Sequence, residues 1–224
     1  MVRLKNRVVA VVPTLNEEEG LPRVLEGLKR QAVDEIVVVD GNSTDRTAAI
    51  ARASGARVIL QDGRGKGNGF KSFLAKFPLR DEDFYVMLDG DASYDPADMP
   101  KVVARLREGC DVVAGARRFY TKAARDFVHN IGNHAISLAA RLLFWHAAPD
   151  VCTGYWGFRG GALRKMNITA ERFDLEADLF SQACRRGLRF EFVPVSYRPR
   201  LGEGKLSARD GWMILKRLLK GRFS

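Results

Sequence analysis

The sequence predicts an α/β fold with a mostly parallel central sheet flanked by helices. Three observations predict it. Short, almost wholly apolar β-branched runs recur along the first half, each is followed by apolar residues at helical spacing, and several runs end in polar or acidic residues. Strands this apolar are expected where helices cover both sheet faces. The first run, Val8-Val9-Ala10-Val11-Val12, stops at Pro13, and Leu21, Val24, Leu25 and Leu28 after Asn16-Glu17-Glu18-Glu19 read as a helix. The unit repeats: Ile36-Val37-Val38-Val39 stops at Asp40, Ser43-Thr44-Asp45 caps a helix through Ala53, and Arg57-Val58-Ile59-Leu60 is a third strand. Gly63 to Gly69 alternates glycine with polar residues ahead of a helix carrying Phe70, Phe73 and Leu74. Phe84 to Leu88 is a fourth strand ending at Asp89-Gly90-Asp91; a helix around 97–108 leads to a fifth at Asp111 to Ala114.

The second half changes character. Residues 121–146 read as one long helix, and 150–200 mix glycines, short strands and a helix over 174–186, as a helical/β addition to the first half. No Pro/Ser-rich linker separates the halves, so the 224 residues are expected to form one domain. A composition of 46% hydrophobic and 29% charged residues excludes disordered and fibrous classes. Cys110, Cys152 and Cys184 are far apart and lack metal-ligand spacing, which excludes a disulfide scaffold and a zinc module. The basic N-terminus runs into an apolar segment too short for a signal-peptide core, and no run approaches the roughly 18 apolar residues of a membrane span. A cytoplasmic chain with at most peripheral membrane contact is expected.

Charge is distributed unevenly. Residues 185–224 hold 11 Lys+Arg against Glu191, Glu203 and Asp210, which is +8 of the net +10. A polyanionic partner is implied, whether nucleic acid, an anionic membrane surface or substrate phosphate. Ala208–Phe223 places Trp212, Leu215, Leu218 and Leu219 near one side and Lys216, Arg217, Lys220 and Arg222 toward the other, as a basic amphipathic helix for a membrane surface would; a core stripe is the alternative. Residues 134–146 add Ile136, Ala139, Leu142, Leu143, Phe144 and Trp145 at helical spacing, with the same two readings.

In open α/β sheets the ligand sits outside the carboxyl ends of the strands, so those ends are the candidate site. Asp89 and Asp91, on alternate positions at a strand terminus, can reach one divalent cation that also binds a diphosphate; a plain turn with solvated acids is the alternative. Hard oxygen ligands suit Mg²⁺ or Mn²⁺. Asp40 can accept from a ribose or base, or close an Asx turn before the next helix. Backbone N–H groups around Gly65-Lys66-Gly67, and Lys66 itself, can approach phosphate, although the P-loop and GxGxxG spacings are missing and a flexible loop is the alternative.

Taken together, Val11 to Glu18, Val38 to Thr47, Gly65-Lys66-Gly67 and Leu88 to Asp91 resemble the successive signatures of family 2 glycosyltransferases with the GT-A fold, over roughly the first 118 residues. Gly41 stands where many members carry a second Asp. Asp150-Val151-Cys152-Thr153-Gly154-Tyr155-Trp156-Gly157-Phe158-Arg159, Phe173 to Asp178, Val193-Pro194-Val195 and Gly202 to Leu206 are similar to segments of dolichol-phosphate mannosyltransferases and their glucosyl relatives, with Tyr155-Trp156 and Gly204 as departures. The resemblance implies a nucleotide-sugar-binding half over 1–118, an acceptor half over 119–206 and a basic C-terminal helix over 207–224. It implies that Pro13, Thr14, Asn16, Glu17 and Asp40 line a nucleotide pocket with Lys66, and that Asp89, Gly90 and Asp91 serve ribose and metal. The activity implied is metal-assisted, inverting hexosyl transfer to a polyprenyl or dolichyl phosphate, with GDP-mannose favoured over UDP-glucose.

Arg117, after the strand at 111–114, is expected to reach the diphosphate, and Arg198, Arg200 and Lys205 to hold the acceptor phosphate, exposed strand ends being the alternative for the first two. Glu176 is expected to orient sugar hydroxyls or act as a base, or else to be an exposed helix acid. A soluble glycosyltransferase with a small or sugar acceptor is the second reading. Nucleic acid is not an expected partner, because Asp40, Asp89 and Asp91 repel phosphate. The expected partners are the nucleotide sugar, the lipid phosphate, an anionic membrane surface, and a membrane protein or second copy of the chain.

Overall fold

The computed structural model describes residues 6–119, 124–202 and 208–223, with the side chains of 119, 124–131 and 208–210 set aside. In chain order the elements are β1 (Val8–Thr14), α1 (Leu21–Lys29), β2 (Glu35–Asp40), α2 (Thr47–Ala53), β3 (Arg57–Leu60), α3 (Lys66–Lys76), β4 (Phe84–Met87), α4 (Met99–Arg107), β5 (Val112–Phe119), α5 (Ala124–Phe144), β6 (Trp156–Arg159), α6 (Gly160–Lys165), α7 (Leu175–Arg185), β7 (Phe190–Tyr197) and α8 (Ala208–Phe223). A single 3₁₀ turn, Pro96–Asp98, precedes α4.

The seven strands form one sheet in the order β3-β2-β1-β4-β6-β5-β7. Both halves of the chain contribute to it. All neighbours pair in parallel except β6, which runs antiparallel between β4 and β5. The central strands β1 and β4 are covered on both faces, as their composition requires, whereas the edge strand β3 leaves Arg57 and Leu60 exposed. Val8, Ala10 and Val12 point into a core shared with α1, α2 and α4, and Val9 and Val11 into one shared with α3, α6, α7 and α8.

Two strands run further than expected. β1 continues through Pro13 to Thr14, pairing with β2 to Thr14↔Asp40, whereas its register with β4 ends at Val11↔Met87. Pro13 therefore lies past the β4 ladder, where its missing N–H disrupts least. β5 runs to Phe119 rather than Ala114 because β7 lies beside it over eight residues.

The C-terminal helix corrects the expected division of faces. Ile214 and Leu218 are buried, and Arg217 turns inward, its guanidinium 2.6–2.7 Å from the buried carboxylate of Asp174. Trp212, Leu219 and Phe223 face out with Lys216, Lys220 and Arg222. On α5, Ala140 is buried and Phe144 packs edge-on against Phe180, while Leu138, Leu142 and Trp145 are exposed. Each of these helices is thus core on one side and has an exposed apolar stripe on the other.

Candidate active site

Strand parity aims the central carboxylate. Along β4, Tyr85 and Met87 enter the core under α3 and α7 while Phe84, Val86 and Leu88 enter the opposite one, so Asp89 emerges on the α3/α7 side. There the amino end of α3 supplies Lys66 and the first turn of α7 supplies Glu176. The Lys66 ammonium lies 2.5 Å from Asp89 Oδ1 and 2.7 Å from Glu176 Oε1. Burial pushes both carboxyls up, and Lys66 pulls them back. For Lys66 itself burial works against the charge, but the two acids outweigh it and hold the ammonium above its ordinary range.

The antiparallel β6 brings the second half onto this site. Its register, Met87↔Trp156, places Gly154 opposite Asp89, so close that a Cβ there would lie 2.1 Å from Asp89 Oδ2. The Gly154 N–H donates to the Tyr94 hydroxyl at 2.7 Å. Asp91 is held by its own turn, Oδ1 accepting from Ser93 N at 3.0 Å and Ser93 Oγ at 2.5 Å. Beyond β7, Arg198 N donates to Ser93 O and Leu201 N to Asp91 O, laying the 198–201 segment on the Asp89-Gly90-Asp91 turn. Arg200 thereby spans Glu17, with Nη2 3.0 Å from Oε1, and Asp91, with Nη1 3.6 Å from Oδ2. Its Nε is buried and has no hydrogen-bond partner among the described residues.

The remaining nucleotide candidates form the wall beside β1 and β2. Asp40 is 1% exposed and closes an Asx turn, accepting from Ser43 N at 3.0 Å and Ser43 Oγ at 2.6 Å, with Thr14 Oγ1 at 3.4 Å. Asn16, at φ +50°, accepts from Thr44 N, and Glu17 N donates to Thr47 Oγ1. Gly90 fits because a Cβ there would lie 2.7 Å from the Thr14 methyl. The turn reading of Asp40 is therefore realised, and any ligand contact from it is made from within that turn.

Several expectations are corrected. The Gly67 and Asn68 amides donate to Arg172 O and Glu171 O at 3.1 and 3.0 Å, so these two N–H groups are taken, while the Lys66 ammonium faces the acids. The glycines serve packing: a Cβ on Gly67 would lie 2.6 Å from the Ala170 carbonyl. Arg117 is held by a different acid, although its charge still pulls the Asp89 carboxyl down. Asp150 grips it bidentately at 2.7 Å through Nε and Nη2, and its guanidinium lies 5.1 Å over the Tyr197 ring. Arg198 pairs with Asp95 at 2.8 Å and borders a surface cavity of about 280 Å³ with Arg23 of α1 and Arg30 just past it, apart from Asp89. Lys205 lies outside the described residues.

Asp150, Gly154, Tyr94 and Tyr197 had no role in the sequence reading. Asp150 and Gly154 stood in a quoted motif, but only the strand register gives them partners. Among the described residues no group of three or more His, Cys, Asp or Glu gathers as a cation site. Asp89 and Asp91 are two hard carboxylates at one turn, which fits Mg²⁺ or Mn²⁺ provided a ligand supplies further oxygens.

Residues 9–166 match glycosyl transferase family 2. The dolichyl-phosphate hexose transferase of Haloferax volcanii is 34% identical over 91% of this chain and 88% of its own length. The undecaprenyl-phosphate mannosyltransferase of Micrococcus luteus is 30% identical over 90% of this chain and 88% of its own. A solved structure of glucosyl-3-phosphoglycerate synthase from Mycobacterium tuberculosis, in complex with Mn²⁺, uridine diphosphate and glucosyl-3-phosphoglycerate, superposes with a TM-score of 0.78 at 23% identity, covering 98% of this chain and 81% of that one. That likeness bears out the GT-A fold. With the family match spanning most of the chain and relatives aligned over nearly all of it, the chain belongs to glycosyl transferase family 2 and is a glycosyltransferase.

Proposed function

We propose that the chain transfers a hexosyl group from a nucleotide sugar, GDP-mannose before UDP-glucose, to a polyprenyl or dolichyl phosphate. The observation that carries the reading is the meeting of Asp89 and Asp91 with Lys66, Arg200 and Glu176 at the carboxyl end of β4. Acids alone would repel two phosphates, and cations alone would leave no seat for a divalent ion. The acceptor class is supported by the relatives named for dolichyl- and undecaprenyl-phosphate transfer.

The chemistry follows from charge. A lipid-phosphate oxygen, already anionic near neutral pH, attacks the anomeric carbon as the bond to the nucleoside diphosphate breaks, giving inversion without a strong base. Mg²⁺ or Mn²⁺ at Asp89 and Asp91 would supply electrostatic stabilisation of the leaving diphosphate. Lys66 adds a positive charge on the same side, and Arg200, between Glu17 and Asp91, adds a second. Glu176, fixed by Lys66, orients a sugar hydroxyl. Arg117, locked to Asp150, stiffens the acceptor-side wall and places its charge near Asp89.

No helix among the described residues is long and apolar enough to cross a membrane. Peripheral access to the lipid phosphate is supported by the outer stripe of α8, where Phe223 is 79% exposed and Lys216, Lys220 and Arg222 also face out, and by Trp145, 88% exposed just past α5. The test is transfer of radiolabel from GDP-mannose and UDP-glucose, separately, into an organic phase containing polyprenyl phosphate, with Mg²⁺, Mn²⁺ or EDTA. Metal-dependent label in the lipid phase is the expected result. Metal-dependent donor hydrolysis without lipid label would replace the lipid acceptor with a small soluble one.

A further inference from the structure

We propose that Lys66 is an internal counter-ion that keeps Asp89 closed to a divalent cation until the donor's diphosphate arrives to take the lysine over. The inference rests on the donor site proposed above. Of the two Asp89 oxygens, Oδ1 holds the Lys66 ammonium at 2.5 Å and Oδ2 is pressed against Gly154. Asp91 is similarly engaged, with Oδ1 on Ser93 and Oδ2 facing Arg200 at 3.6 Å. A metal ion approaching the free protein therefore meets two carboxylates each already faced by a cation.

The lysine is anchored for this task. Its side chain is only 12% exposed, and Glu176 gives it a second carboxylate partner at 2.7 Å that is itself buried. Position 66 is fixed from behind, because Gly67 and Asn68 donate to the 171–172 carbonyls, and Asp178 accepts from the Thr169 and Ala170 amides of the same loop at 2.7 and 2.8 Å. A diphosphate changes the balance by offering Lys66 anionic oxygens and completing a coordination shell that Asp89 and Asp91 cannot fill alone. Metal and nucleotide then bind with reciprocal positive coupling.

Mn²⁺ binding, followed by loss of the free-ion electron paramagnetic resonance signal, tests this without turnover. The unmutated protein should bind Mn²⁺ weakly alone and more tightly with UDP or GDP. Lys66→Met combined with Glu176→Gln removes one charge of each sign, so local net charge is unchanged while Asp89 is vacated. It should bind Mn²⁺ alone on the order of tenfold more tightly, and gain less from nucleotide. Nucleotide-tightened Mn²⁺ in the unmutated protein with no gain in the double variant overturns the counter-ion role and leaves the donor site standing; no tightening by either nucleotide removes both. Should the double variant fail to fold, the unmutated protein decides through the Lys66 ¹⁵Nζ resonance. That signal should be unmoved by Mg²⁺ alone and shift when UDP or GDP joins it, and a shift with Mg²⁺ alone overturns the proposal.

Discussion

Gly154→Ala is the substitution that most directly probes how the two halves of the chain meet. An added Cβ would stand 2.1 Å from Asp89 Oδ2 and 2.7 Å from its Cγ, so to reach even 3.0 Å the carboxylate oxygen must retreat by about 0.9 Å. Gly154 has no left-handed φ, so the effect is steric, without a backbone term. The retreating carboxylate loses its present contact with Lys66, or β6 shifts on β4. Overpacking of this kind costs about 1–3 kcal/mol, which in a chain of this size lowers Tm by roughly 2–12 °C. A displacement near 1 Å at a reacting centre costs about 100-fold in rate. Thermal unfolding and initial-rate transfer assays should therefore both report the change. Gly132→Ala is the control: it sits in α5 with nothing within 4 Å of an added Cβ, and should stabilise by about 0.4–1 kcal/mol. Wild-type turnover and Tm in Gly154→Ala would refute the placement of Asp89 against β6.

Three other outcomes are expected. Asp91→Asn keeps the turn's shape but removes a charge, and should abolish metal-dependent turnover with an unchanged circular dichroism spectrum; full activity would remove Asp91 from the metal site. Arg217→Ala strands the buried Asp174 carboxylate and should cost about 3–5 kcal/mol in urea unfolding, whereas adding Asp174→Ala should recover part of that loss. Burial pushes the Cys110 thiol up to about 11 and those of Cys152 and Cys184 up to about 12. The folded protein should therefore react slowly with Ellman's reagent at pH 8, and all three thiols rapidly in guanidinium.

What the sequence discloses is local. The β-branched runs and the acids that stop them are contiguous, so β1 to β4 and the turn at Asp89 are legible without tertiary information. Long-range register is not. β6 reads as a short strand, but nothing within Trp156–Arg159 says that it slots antiparallel between β4 and β5, and that placement gives Gly154 and Asp150 their partners. Glycine alternation at 63–69 suggests a loop free to wrap phosphate, yet Gly67 is small because the 170–172 backbone lies against it. Arg198 and Arg200 look equivalent in sequence, and only the docking of 198–201 on the 91–93 turn sends one to Asp95 and the other to Glu17 and Asp91.

The basic tail divides by function once its partners are known. A reading by charge alone would spend all of these cations on an anionic partner. The structure spends Arg217 on Asp174 and on Thr169, and through that contact α8 braces the 169–174 loop. The same loop receives the Gly67 and Asn68 amides, so a continuous chain of contacts runs from α8 to the residue beside Lys66. Arg200 belongs to the site itself. On the outer face of α8, Lys216, Lys220 and Arg222 are interleaved with the exposed Trp212, Leu219 and Phe223. The helix that carries this outer face thus also supports the lysine that faces Asp89 and Glu176.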